Sequence, residues 1–198
     1  GEFKAGALKG AQNAVAITLG TGIGSGIIID GNIYAGNNYA AGEMGHMVIV
    51  YDGRQCNCGR KGCWERYASA TGLIITTKEY MEKDKDSVMW ELCDGDINKA
   101  SGRTAFDAMR KGDASGKAVV DEFINYLGCG LVNVINTFQP DILCIGGGIC
   151  NEGETLLAPV RAYIDKEQYA MNAKLKTKVC RAELGNDAGI IGAALLGE

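Results

Sequence analysis

The chain has 198 residues, 46% of them hydrophobic and 22% charged, a balance that suits one globular domain with a core of its own. Its formal net charge of -4 comes with no basic run or stripe, which excludes nucleic-acid binding through this segment. No unbroken apolar run is long enough to span a bilayer and the opening residues carry no signal-peptide pattern, so a cytoplasmic, reducing location is expected. In chain order, residues 14–19 form a short run of strand formers, followed by a glycine-dense turn and a second strand at residues 26–30. Asp30-Gly31 before Asn32-Ile33-Tyr34 reads as a tight hairpin, so the chain opens as an antiparallel meander. Apolar residues then recur at helical spacing over residues 69–83, 104–111 and 114–138, with Phe123, Tyr126, Leu127, Leu131 and Val134 marking one face of the last. Pro140 ends that helix. Beyond it come a buried strand at 141–145, a helix at 156–166, a strand at 178–181 and a closing helix at 188–196. Strands and then helices, giving way to strand-helix alternation, predict an α/β layered fold.

Three cysteines and the only histidine fall within residues 46–63: His46, Cys56, Cys58 and Cys63. Thiolates and an imidazole among glycines make a full tetrahedral set for zinc. Buried free cysteines or a disulfide pair are the competing readings, and a C-x-C pair closes too tight a ring for a relaxed disulfide. With all four positions filled by protein, the metal would be structural. Glu43 and Glu65 flank the cluster, and a metal that fixes His46 and Cys63 fixes both carboxylates too. Carboxylates are pure acceptors suited to the hydroxyls of a polyol, and the histidine nitrogen turned away from the metal can donate to the same ligand. The residues by themselves leave this sugar site open against two solvated surface charges. The other cysteines (93, 129, 144, 150 and 180) sit among apolar residues and read as small buried hydrophobes.

Two glycine clusters are candidates for phosphate or nucleotide contact. Residues 20–26, Gly-Thr-Gly-Ile-Gly-Ser-Gly, lie between two strands, where glycine N–H groups form an anion nest and Thr21 adds a hydroxyl. This is neither a Rossmann fingerprint nor a Walker A loop, and plain turn chemistry explains it equally well. Gly146, Gly147 and Gly148 follow the carboxyl end of a buried strand, a usual ligand position in α/β sheets, or an ordinary strand-to-helix turn.

Taken together, Leu19-Gly-Thr-Gly-Ile-Gly-Ser-Gly26, Ala41-Gly-Glu-Met-Gly-His46, Cys56-x-Cys58-Gly59-x-x-Gly62-Cys63-x-Glu65 and Ile145-Gly-Gly-Gly-Ile149 resemble the ROK family of bacterial sugar kinases and sugar-responsive repressors. The likeness runs the whole length of the chain. It implies an actin-like ATPase fold of ribonuclease-H type, ATP-dependent phosphorylation of a hexose such as glucose, and a structural zinc on His46, Cys56, Cys58 and Cys63. It also implies that Glu43, His46 and Glu65 bind sugar hydroxyls, that Gly20, Thr21, Gly22 and Gly24 contact ATP phosphates, and that residues 146–148 lie near the adenosine. Mg²⁺ is expected with ATP, and a homodimer is expected from the likeness. Family members carry an amino-terminal lobe and a general-base aspartate in a D-x-N motif that would precede residue 1. The chain is therefore expected to be the carboxy-terminal lobe, with its zinc-binding loop within residues 43–65, no catalytic residue of its own and no activity alone. The rival readings are the effector-binding part of a sugar-responsive repressor and a zinc-stabilised interaction domain without a sugar role.

Overall fold

In the computed structural model, which describes residues 1–195, the Asp30-Gly31 pair reverses the chain with both residues at positive φ, 51° and 76°, as a two-residue hairpin requires. Strands β1 (Ala14–Leu19), β2 (Ile23–Ile29) and β3 (Asn32–Ile33) are the antiparallel meander. Strand β4 (Ile142–Gly146) joins the other edge of β1 in parallel, and β5 (Lys178–Arg181) continues parallel beside β4. The resulting order, β3-β2-β1-β4-β5, is the ribonuclease-H-type arrangement of an actin-like ATPase lobe. Strand β2 begins earlier than the glycine pattern predicts, at Ile23, because Gly24 and Gly26 pair with Thr18 and Ala16 of β1. The turn proper is only Gly20-Thr21-Gly22.

Alternation along the central strands divides two unequal cores. Val15, Ile17 and Leu19 of β1, with Leu143 and Ile145 of β4, face the main core; Ala14 and Cys144 face a smaller one with Leu8 and Ala11. Larger side chains of β1 and β4 thus meet the helices, while Ala14 and Cys144 meet the short amino-terminal segment containing α1 (Glu2–Ala5).

The main core is organised by one long helix. After the short helices α2 (Glu65–Ala68), α3 (Ala70–Lys83), α4 (Val88–Leu92) and α5 (Thr104–Arg110), helix α6 runs from Ala114 to Phe138. Asp113 caps it, its carboxylate accepting from the Gly116 N–H at 2.5 Å. It stops where Gln139 takes a left-handed φ of 42° just before Pro140. By length and composition alone α6 could cross a membrane. Here its stripe of Val119, Phe123, Leu127, Leu131 and Val134 is buried in the protein core. Helices α7 (Glu154–Glu167) and α8 (Asp187–Ala194) complete the chain. The closing helix predicted to reach Leu196 has that residue outside the described range, and α8 buries none of its side chains, leaving Ile190 74% exposed. Helices α1, α2 and α4 leave no periodic signal in the sequence, being too short to stand without tertiary packing.

One side chain ties the cysteine segment to this helix. Trp64 is fully buried, its indole N–H donating to the Tyr126 carbonyl at 2.9 Å, and its ring lies on Gly130, where an added Cβ would sit 2.0 Å from the indole. Gly130→Ala should overpack this contact and cost about 1–3 kcal/mol, lowering the melting temperature by several degrees in a thermal scan, with an unchanged value showing that the indole moves freely.

Candidate functional site

The cysteine segment folds as a tight knuckle. Antiparallel bridges Val48↔Cys63 and Gln55↔Lys61 close its neck, and within it the Cys56 N–H donates to the Arg60 carbonyl at 2.9 Å and the Gly59 N–H to the Cys56 carbonyl at 3.1 Å. Arg54 anchors the knuckle to the helices: its guanidinium donates to the Arg66 carbonyl, to Thr76 Oγ1 and to the Glu79 carboxylate at 3.0, 3.0 and 2.6 Å and stacks 4.8 Å over the Tyr67 ring.

The four predicted ligands converge. One ligand atom from each of His46, Cys56, Cys58 and Cys63 lies within 4.8 Å of all the others. Cys56 Sγ is 3.6 Å from His46 Nδ1, and Cys58 Sγ is 3.6 Å from Cys63 Sγ. A tetrahedron with metal–sulfur bonds of about 2.3 Å has edges of roughly 3.8 Å, so the donor set fits a four-coordinate soft divalent metal. It is Nδ1 that faces the thiols, which leaves Nε2 as the other ring nitrogen.

Without a cation, three clustered thiols titrate unequally. Burial pushes the Cys63 thiol up to about 12 and raises Cys56 as well, whereas the exposed Cys58 is lowered, first by the Arg60 backbone N–H. Cys58 therefore holds the largest thiolate fraction near neutral pH.

His46 and the two flanking carboxylates open onto a cleft of about 700 Å³, and its lining joins residues far apart in the chain. Glu43, His46 and Glu65 form one wall; Gly20, Gly22 and Gly24 form the middle; Gly146, Gly147, Gly148, Asn151 and Arg181 continue it. Two close approaches fix the first wall against the glycine turn. A Cβ on Gly45 would stand 2.3 Å from the Ile23 carbonyl, and one on Gly22 would stand 2.4 Å from Glu65 Oε2. The other Glu65 oxygen, Oε1, lies 3.2 Å from Cys56 Sγ and 3.7 Å from His46 Nδ1. The Glu43 carboxylate has no hydrogen-bond partner among the described residues and is exposed.

Two details depart from expectation. The residue 20–26 segment is not one continuous anion nest: Gly24 belongs to β2, and the Gly20 N–H is already spent on the Gly22 carbonyl at 3.0 Å. Thr21 lines a neighbouring cavity of about 480 Å³ instead, with Gly20, Ser101, Arg103, Gly148 and Asn151. Several lining residues were not foreseen. Glu2 is buried and accepts from the N–H groups of Ala7, Glu183 and Leu184 at 2.8, 3.1 and 2.8 Å. Arg181 donates to Asn151 Oδ1 at 2.7 Å. Cys144 and Cys150 also reach the cleft, their thiols raised by burial to about 12 and about 11. A glutamate at the start of the chain and a lone arginine ending a strand carry no local signal of this placement.

The ROK family sequence model matches residues 1–198, and the chain belongs to that family. It is 40% identical over 199 residues to a glucokinase of Halalkalibacterium halodurans, covering 99% of this chain and 59% of that protein. It is 36% identical over 196 residues to a glucokinase of Streptomyces coelicolor, covering 98% and 62%, and 31% identical over 192 residues to a xylose repressor of Bacillus spizizenii, covering 97% and 46%. Among solved structures, a ROK family glucokinase from Streptomyces griseus in complex with glucose and AMPPNP superposes with a TM-score of 0.88 at 34% identity, over 98% of this chain and 62% of that one. The chain thus spans about three fifths of the length of these glucokinases.

In metal-free protein, a limiting amount of iodoacetamide should label Cys58 ahead of Cys56 and Cys63, as read by peptide mass spectrometry. Equal labelling of the three would contradict the exposure and thiolate difference.

Proposed function

We propose that these residues form the carboxy-terminal lobe of a sugar kinase that transfers the ATP γ-phosphoryl group to a hexose hydroxyl, with glucose as the first substrate to test. The observation that carries this reading is the shared cleft: Glu43, His46 and Glu65 line the same cavity as Gly20, Gly22 and Gly24 and residues 146–148. Two acceptor carboxylates and an imidazole suit the hydroxyls of a sugar, and the glycine turns admit phosphate oxygens close to backbone. The higher identity to glucokinases than to the xylose repressor supports the kinase over the repressor.

Phosphoryl transfer depends mainly on positioning and on stabilising charge. In this reading Glu43 and Glu65 accept from sugar hydroxyls, His46 donates through the nitrogen turned away from the thiols, and the turn at residues 20–22 holds phosphate. In this reading the general base is the aspartate that the family resemblance places in the other lobe of the intact protein. Mg²⁺ would accompany ATP and neutralise its phosphates. His46, Cys56, Cys58 and Cys63 would hold zinc, which would brace the sugar wall and keep the thiols deprotonated. A cytoplasmic location and pairing of two copies complete the reading, the first in keeping with eight free cysteines.

Glu65→Gln in the full-length protein keeps the shape of the side chain but exchanges an acceptor for a donor. Losing a charged hydrogen bond costs about 1.5–3 kcal/mol, so the glucose KM should rise on the order of ten-fold or more. An unchanged KM for every hexose tried removes Glu65 from the site, and glucose binding in calorimetry without turnover favours the repressor.

Cys58→Ser should abolish stoichiometric zinc and lower the melting temperature together. Freshly purified protein without zinc by elemental analysis would overturn the metal assignment.

A further inference from the structure

Ser25 has no part in the roles above, yet its side chain leaves the sheet for the sugar wall. It lies in β2 opposite Ile17 of β1, three residues beyond Gly22. Its hydroxyl donates to the Gly42 carbonyl, and its oxygen accepts from the Met44 N–H at 3.3 Å. Gly42 and Met44 are the two neighbours of Glu43.

Glu43 itself, at φ -76° and ψ 53°, occupies the centre of an inverse γ-turn. That turn is closed by the Met44 N–H on the Gly42 carbonyl at 2.8 Å. One hydroxyl therefore spans the mouth of the three-residue turn whose tip carries a carboxylate without any side-chain partner of its own among the described residues. The Glu43 carbonyl in turn accepts from the His46 N–H at 3.1 Å, so the turn leads directly into the short helical turn Met44–His46. The Ser25 clasp, together with Gly45 seated on the Ile23 carbonyl, holds the segment to β2 at two points.

We propose that Ser25 is a positioning residue for the sugar: it fixes Glu43 relative to the phosphate turn. Because Gly22, Gly24 and Ser25 follow one another along one strand and its lead-in, the clasp sets the distance between the hydroxyl-binding carboxylate and the phosphate-binding backbone. This rests on reading Glu43 as a sugar ligand.

The test uses the full-length protein that contains this chain. Ser25→Ala and Ser25→Gly both remove the hydroxyl, and the glucose KM should rise about three- to ten-fold, the equivalent of one or two neutral hydrogen bonds. The ATP KM and the zinc content should not change, and Ser25→Thr, which keeps the hydroxyl, should restore the glucose KM. An unchanged glucose KM in both deletions, an equal rise for ATP, or no rescue by threonine overturns the proposal. Loss of folded protein in both deletions assigns Ser25 to stability and overturns it as well. Glu43→Gln measured in parallel separates the two levels. If it raises the glucose KM while the Ser25 deletions do nothing, only the clasp fails; if it changes nothing, the sugar reading of Glu43 fails and the clasp with it.

Discussion

The burial of Trp64 is the constraint on which the site depends. Cys63 and Glu65 are its immediate neighbours, one a member of the thiol cluster and the other a wall of the cleft. The indole is sealed against Gly130 and bonded to the Tyr126 carbonyl, both on α6, so the long core helix sets the position of thiol and carboxylate together. Burying so large a ring stabilises the lobe by several kcal/mol, of the order lost in Trp→Ala cores (about 3–5 kcal/mol). Between His46 and Glu65 the knuckle has two isolated bridges and no helix or strand among the described residues, so it does not fix itself. It borrows its rigidity from this anchor and from the hydrogen bonds of Arg54 to Thr76 and Glu79 on α3.

Charge in the cleft is unevenly committed. Three carboxylates line it, with Arg181 the only lysine or arginine among the described lining residues. Glu2 is consumed by three backbone N–H groups, which satisfy its charge and pin the first helix to the segment before α8. Glu65 leans on the thiol cluster and on Gly22. Glu43 alone has no side-chain partner among the described residues. Under the proposed reading, the divalent cation that accompanies ATP would offset this excess of carboxylates.

The two halves of the proposed site share a backbone and not merely a neighbourhood. Strand β2 meets the 42–46 segment through Ile23 and Ser25, and Glu65 rests on Gly22. A movement of the turn at residues 20–22 is therefore felt by the wall that carries Glu43 and Glu65 across van der Waals contact, and close packing leaves no slack to absorb it.

The sequence by itself determined what is local. The bounds of α6, the Asp30-Gly31 hairpin, the strands at residues 14–19 and 178–181 and the grouping of His46, Cys56, Cys58 and Cys63 follow from hydrophobic period, turn chemistry and spacing. These are properties of φ, ψ and burial over a few residues, and the family signature added the order in which they come. Tertiary structure alone decided that β4 runs parallel to β1 across more than a hundred residues, that Gly24 lies within β2 and not in the turn, and that Glu2, Asn151 and Arg181 line the same cleft as Glu43. A glutamate near the first residue or an arginine at a strand end looks like any solvated charge until distant segments pack, because convergence depends on contacts between separate elements and leaves no periodic trace in the chain.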